Sequence, residues 1–299
     1  MFEDIRRNKI KTGFIVSIFI VLVTLFIYYI CTLFNLGSFS IVIAFLISII
    51  SAFATYYNCD KIVLASCRAR PATKLEDQKL VNILDALVVS AGLKVTPKLY
   101  VVDDPQPNAF ATGRNPENSV ICVTTGLLEK LDYYELEGVV AHELGHIKNY
   151  DIRLSCVISV MVGFIVMITD WLSRTWLWRD FDDNDNNSKF GGIMAVIGIV
   201  LMVLAPIFAK LLQLAVSRRR EFLADATSAE LTRNPQGLIS ALQKIASDPN
   251  ELKTASSATA HMYIAEPFRK NLKGKKRRTS WFSTHPNTED RIEALRNIK

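Results

Sequence analysis

The sequence predicts an α-helical membrane protein of four spans that carries a cytosolic α+β domain. Three observations lead there. The stretch from Thr12 to Cys59 contains no Asp, Glu, Lys or Arg, and two further apolar runs follow, Leu154 to Ser173 and Phe190 to Val216. The remaining polar sequence falls into two blocks, 60–153 and 217–299, that mix helical and strand-like patterning. Hydrophobic residues make up 50% of the 299, so it is their uneven distribution that sets the class.

A spanning helix needs about 20 apolar residues, so segment 12–59 holds a hairpin of two spans that turns at Asn35-Leu36-Gly37. A cleaved leader would have a short apolar region ending at a small-residue site. Here the run continues through Phe26, Ile27, Tyr28 and Tyr29, so it is expected to be retained. Segment 154–216 holds spans three and four with an acidic extracytoplasmic loop containing Asp180, Asp182, Asp183 and Asp185. Asp170 and Lys210 leave buried helices of a soluble core as the alternative. Trp171, Trp176 and Trp178 oppose it, clustering where the third run meets charged sequence as rings do at a headgroup boundary, and Lys210 can snorkel.

Orientation follows from basic residues near the span ends. Arg6, Arg7, Lys9 and Lys11 precede span one, Lys61, Arg68, Arg70 and Lys74 follow span two, and Arg218, Arg219 and Arg220 follow span four. Both polar blocks therefore lie on the cytosolic side and are expected to form one split domain. The 5 cysteines include no CxxC pair, which fits a reducing compartment. Lys270 to Arg278 reads as a solvated basic loop, with anionic lipid as the functional alternative and nucleic acid not expected as a partner.

In the first block, Leu75 to Ala91 has helical apolar spacing and Gly92 ends it. Leu99 to Val102, Asn108 to Thr112 and Ser119 to Thr124 are strand-like and predict a small sheet. Asp132 and Glu135 form a capping signal that opens a helix bearing His142-Glu143-Leu144-Gly145-His146. The second block begins as helix through Glu221 and Asp225, breaks at Asn234-Pro235 and resumes to about Ala246.

Residues four apart on a helix share a face, so His142 and His146 can aim imidazole nitrogens at one metal ion. Glu143 projects to the side, where it can take a proton from a metal-activated water, and compact Gly145 lets another element approach. With only 4 histidines in the chain, chance is a poor explanation of the pattern. A catalytic zinc site has three protein ligands and one open position. Glu221 is the candidate third ligand, and Asp225, one turn later, can accept the other ring proton of a ligand histidine. The alternative is a surface charge cluster with the arginines beside it.

The chain resembles the HtpX family of membrane metalloproteases, relatives of the CAAX prenyl proteases. Four segments carry the likeness: Asn108 to Gly113, His142 to His146, Ser217 to Asp225, and Thr284-His285-Pro286 with Arg291-Ile292. The resemblance implies a gluzincin-type metalloprotease domain with one Zn2+ at His142, His146 and Glu221 and with Glu143 as general base. It implies that Asn108, Ala109 and Phe110 belong to an edge strand that pairs with an extended substrate, Asn108 orienting the scissile peptide. It places His285 by the metal, either donating to the oxyanion or filling the open position, with Arg291 as its electrostatic neighbour. Expected partners are unfolded or misassembled membrane proteins and the lipid bilayer of a bacterial inner membrane. Three alternatives stay open: a processing protease for a defined, for example prenylated, substrate; a non-catalytic scaffold with structural zinc; and a transporter. Glu143 speaks against the second, and the lack of paired ionisable residues within the spans against the third.

Overall fold

The computed structural model describes residues 2–33, 36–37, 39–75, 77–177, 218–256, 258–265 and 286–298. Helices α1 (Phe2–Leu33) and α2 (Ser40–Ser66) pack on one another, linked by a turn in which Gly37 takes a φ of 74°. Within them, Asn8–Tyr28 and Ser40–Ser66 are long and apolar enough to cross a membrane. Phe14, Val21, Leu25, Ile43, Leu46, Ile50 and Phe53 are exposed along this pair. An apolar surface of that extent is expected against lipid rather than water.

The third apolar run lies in α6 (Asp151–Leu177). Val157 and Met161 of α6 pack with Phe19, Val23 and Ala52, and Phe164 meets Phe19 edge to face at 5.5 Å, so α6 runs beside the hairpin. The fourth run, the acidic loop, Trp178, the basic run from Lys270 and His285 lie outside the described residues. Two candidate spans therefore stand on length and composition among the described residues, with α6 alongside them.

The first polar block builds a four-stranded sheet from β1 (Arg70–Pro71), β2 (Lys98–Val102), β3 (Ala109–Asn115) and β4 (Asn118–Thr124), in the order β1-β2-β4-β3. β2 and β4 are parallel and the other pairs antiparallel, which leaves β3 at one end. Gly113, at a φ of 139°, lets the β3–β4 hairpin close: a Cβ there would lie 2.3 Å from the Asn118 carbonyl oxygen. Helix α3 (Gln78–Ala91) starts later than the sequence suggests, because the Asp77 carboxylate turns back to accept the Thr73 N–H at 3.1 Å. α4 (Thr125–Lys130) is capped by the Thr124 hydroxyl, which accepts the Leu127 N–H.

Helix α5 (Tyr133–Lys148) opens with the expected capping box: Asp132 accepts the Glu135 N–H at 3.0 Å and Glu135 accepts the Asp132 N–H at 2.9 Å. The helix is the axis of the domain. Leu136, Val139, Val140 and Leu144 are fully buried in one core with Leu80, Leu84, Ile121, Val123, Leu238 and Leu242. After Asn149, Tyr150 takes a φ of 60° and the chain bends by 84° into α6. The C-terminal end of α5 thus sits at the junction of the domain with the apolar helices.

Two further helices, α7 (Arg218–Thr232) and α8 (Pro235–Ser247), cross α5, and α9 (Thr288–Arg296) packs on both. Proline at the first position of α8 uses an N–H-free slot. The crossings depend on Gly138 and Gly145, seven residues apart and so on one face of α5. A Cβ on Gly145 would come within 3.1 Å of Ala224 Cα, and one on Gly138 within 2.7 Å of the Leu238 nitrogen. Gly138→Ala must displace the backbone of α8 and is expected to cost about 1–3 kcal/mol, read as a lower thermal midpoint of the detergent-solubilised protein. Gly145→Ala, whose neighbours need to yield less, is expected to melt closer to the unmodified chain; the reverse order would mean that the crossings are not set by these contacts.

Candidate metal centre

His142 and His146 stand one turn apart on α5 with their Nε2 atoms 3.2 Å from each other. α7, held close across Gly145, brings the Glu221 carboxylate to them: Oε1 lies 3.6 Å from His146 Nε2 and Oε2 lies 3.8 Å from His142 Nε2. The three side chains offer one ligand atom each within 4.8 Å of one another. Zinc bonds of about 2.0–2.1 Å place the ligand atoms of a tetrahedral site about 3.3 Å apart, so these residues fit the ion.

Behind each imidazole stands a carboxylate. His142 Nδ1 lies 2.9 Å from Asp225 Oδ1, and His146 Nδ1 lies 3.1 Å from Asp151 Oδ2. Donation of both Nδ1 protons to these acceptors leaves both Nε2 lone pairs facing Glu221. Asp225 has the supporting position expected of it from sequence. Asp151 is a residue that sequence reasoning missed: helical spacing speaks only within one helix, and Asp151 reaches His146 through the bend after α5.

Arg291 closes the other side of Asp225. Its Nε donates to Asp225 Oδ2 at 2.8 Å and its Nη2 to Oδ1 at 2.6 Å, a bidentate pair buried on both sides. Its Nη1 donates to the Ile264 carbonyl at 3.1 Å and lies 3.5 Å from Glu221 Oε2. Burial works to raise the Asp225 carboxyl, but Arg291 and the His142 hydrogen bond outweigh it and hold the group below the usual carboxylate range. Burial lowers His142. The same burial acts on His146, yet the Asp151 hydrogen bond and the negative charge of Glu221 raise that imidazole to about 9.

Glu143 is buried next to this cluster, and its carboxylate has no side-chain hydrogen-bond partner among the described residues, while the Ala111 backbone amide approaches it. Burial pushes its carboxyl up to about 7, with Glu221 adding to the rise and His146 and Arg291 opposing it. Glu143, His146 and Glu221 line a cavity of about 30 Å3 together with Ala111, Arg220 and His261. That is room for roughly two water-sized bodies. His261, left without a role by the sequence, stands on the 3-10 turn Ala260–Met262 with its Nε2 3.3 Å from the Ser155 carbonyl oxygen.

Asn108 precedes β3 and is fully buried. Its Nδ2 donates to the Ala265 carbonyl at 3.0 Å while its Oδ1 accepts the Ala265 N–H at 3.3 Å. The Ile264 N–H donates to the Ala109 carbonyl at 2.9 Å, so the chain itself pairs with the first residue of the β3 edge. Phe110 is buried edge to face against Tyr263, with ring centroids 5.0 Å apart. The next edge-facing position is Ala111, beside Glu143 in the cavity wall. Removing Arg291 would strand the buried Asp225 charge. Arg291→Ala is expected to destabilise the domain by about 3–5 kcal/mol in denaturant unfolding. Arg291→Lys, which cannot make the two-pronged contact, is expected to recover little of that loss.

Comparison with known proteins places this geometry in a family. A model described as Peptidase family M48 matches residues 74–299. The curated relative "Protease HtpX homolog" of Dictyoglomus thermophilum is 45% identical over 296 residues, covering 99% of this chain and 94% of that one. The protein of the same name from Caldanaerobacter subterraneus subsp. tengcongensis is 40% identical over 303 residues, covering 100% and 98%. That from Listeria monocytogenes serotype 4a is 39% identical over 310 residues, covering 100% of both. Among solved structures, the crystal structure of S. mikatae Ste24p shares the fold with a TM-score of 0.50 at 18% identity, covering 99% of this chain and 67% of that one. With the family matched over most of its length and these relatives over all of it, the chain belongs to peptidase family M48.

Proposed function

We propose that the chain is a zinc-dependent endopeptidase acting at a membrane surface, with one Zn2+ held by His142, His146 and Glu221 and with Glu143 as general base. Membership of family M48 makes it a membrane-bound metallopeptidase; the metal's identity, the residue roles and the substrate class are what is proposed. The observation that carries the proposal is Glu143, whose buried carboxylate has no side-chain partner among the described residues and lies beside three converging ligand atoms. A structural zinc site fills all four positions with protein ligands and needs no base, so this arrangement speaks against the scaffold alternative.

Bound there, zinc would supply Lewis acidity, lowering the pKa of water to about 7 and polarising the peptide carbonyl. The chain's own groups do the rest. Asp225 and Asp151 hold the two imidazoles in the required tautomer and orientation. Glu143 accepts the proton of the attacking water and delivers it to the leaving amine. An extended substrate pairs with β3 from Ala111 onward, while the Asn108–Ala265 clamp fixes where that edge begins. Asn108, Ala109 and Phe110, expected from the resemblance to contact the substrate directly, are instead held by Ala265, Ile264 and Tyr263, so in this reading they fix where the substrate-facing edge starts. His285 acts at the oxyanion or at the open position, a role supported by its place just ahead of α9, whose Arg291 reaches Glu221.

Four spans with the active site on the cytosolic face complete the proposal. Basic residues in the first turns of α1 and around the end of α2 support that orientation, and the relatives' bacterial sources support a plasma membrane. A domain held at the bilayer suits unfolded cytosolic segments of membrane proteins, hence protein quality control. The test is cleavage of casein by the detergent-purified chain with zinc, beside Glu143→Gln at equal zinc content. Cleavage by the unmodified chain alone is expected, with a loss of at least about 100-fold in the variant. Equal cutting by both would remove Glu143 from the chemistry.

A further inference from the structure

We infer that Asn8, on the first membrane helix, is a positioning residue of the metal centre, acting through Asp151 on His146. The inference rests on the metal site proposed above and adds a third layer to it, drawn from a different part of the chain.

Asn8 is the first residue of the α1 segment able to cross a membrane. Its neighbours Arg6, Lys9 and Ile10 are exposed, whereas Asn8 is buried to 6% exposure. A buried carboxamide is costly unless its hydrogens are placed, and here both are. Nδ2 donates to Asp151 Oδ1 at 2.7 Å and to the Asn149 carbonyl at 3.3 Å, across 143 and 141 residues of sequence. Both acceptors flank the bend between α5 and α6. Lys9 adds a second hold on that corner, its ammonium 4.6 Å from the centre of the Tyr150 ring.

The Asp151 carboxylate therefore has divided duties. Oδ2 faces His146 Nδ1 at 3.1 Å, and Oδ1 faces Asn8, with Arg220 Nη1 at 3.6 Å as its competitor. Arg220 precedes the ligand Glu221 on α7. A guanidinium attracts both oxygens of a carboxylate. Without the Asn8 donor, Asp151 can rotate toward Arg220, and His146 loses the acceptor that orients its ring. One hydrogen bond from α1 thus decides which partner Asp151 serves. The first span is then a component of the metal centre as well as an anchor, and the centre is complete only when α1 has docked against the bend.

The test uses the full chain in detergent. Zinc affinity is measured by competition with a chromophoric chelator, and site geometry from the absorption spectrum of the Co2+-loaded protein. Asn8→Ala is expected to weaken zinc binding by about 10- to 100-fold and to change the cobalt spectrum, the same outcome expected of Asp151→Ala. The double variant should bind no more weakly than Asp151→Ala alone, because both changes act on one imidazole. Asn8→Asp, which keeps the size and removes the donor, gives the same reading should Asn8→Ala fail to purify as a monodisperse protein. Phe19→Ala, which removes a buried contact of the same helix with α6, is expected to leave affinity and spectrum unchanged. Zinc binding by both Asn8 variants as tight as in the unmodified chain would overturn the inference. So would additive losses in the double variant, or an equal loss in Phe19→Ala. Absence of any zinc binding that depends on Glu221 would overturn the proposed function as well.

Discussion

The close crossing of α5 and α7 at Gly145 is the constraint on which the site depends. Two histidines on one helix make only half of a metal centre, and the missing ligand must come from an element that approaches within contact of the same turn. A side chain at position 145 would sit 3.1 Å from Ala224 Cα, so the hydrogen there sets the distance between the helices. At that distance Glu221 reaches both Nε2 atoms, and Asp225, one turn further along α7, reaches the back of His142.

Around this crossing the protein gathers charge that burial alone would not tolerate. His142, Glu143, Glu221, Asp225 and Arg291 are all nearly without solvent contact. Arg291 makes the arrangement possible by pairing with Asp225 at two points and standing 3.5 Å from Glu221. It also binds the Ile264 carbonyl, and the neighbouring Ala265 is clamped by Asn108. The electrostatics of the ligands and the position of the β3 edge are thus settled by one chain of contacts. The result is a buried carboxylate, Glu143, the proposed general base, left without a side-chain partner among the described residues in a place where one would be expected.

Much of this was legible in the sequence because it rests on local rules. The α5 cap follows from Asp132 and Glu135, the shared face of His142 and His146 from helical periodicity, and the close approach at Gly145 from the absence of a side chain between them. The Glu221–Asp225 pair was legible for the same reason, being one turn of a helix. The misses have the opposite character. Asp151 serves His146 only because Tyr150 turns the chain through a left-handed residue into a bend of 84°. Asn8 lies among Arg6, Arg7, Lys9 and Lys11, where the basic residues speak of topology and say nothing about a buried carboxamide. The pairing of Ile264 with Ala109 comes from an irregular segment that carries no periodic signal. Of the four expected spans, the two of the hairpin are long and apolar enough to cross a membrane, the third apolar run lies in α6 beside them, and the fourth lies outside the described residues.

The central claim is that one zinc ion sits where α5 and α7 cross. Anomalous diffraction at the zinc edge from crystals of the purified chain addresses it most directly. The account predicts a single peak within bonding distance of His142 Nε2, His146 Nε2 and the Glu221 carboxylate, about 2.0–2.2 Å from each, with Glu143 close by and not bonded. A peak elsewhere in the molecule, or one whose ligands include Glu143 in place of Glu221, would contradict it.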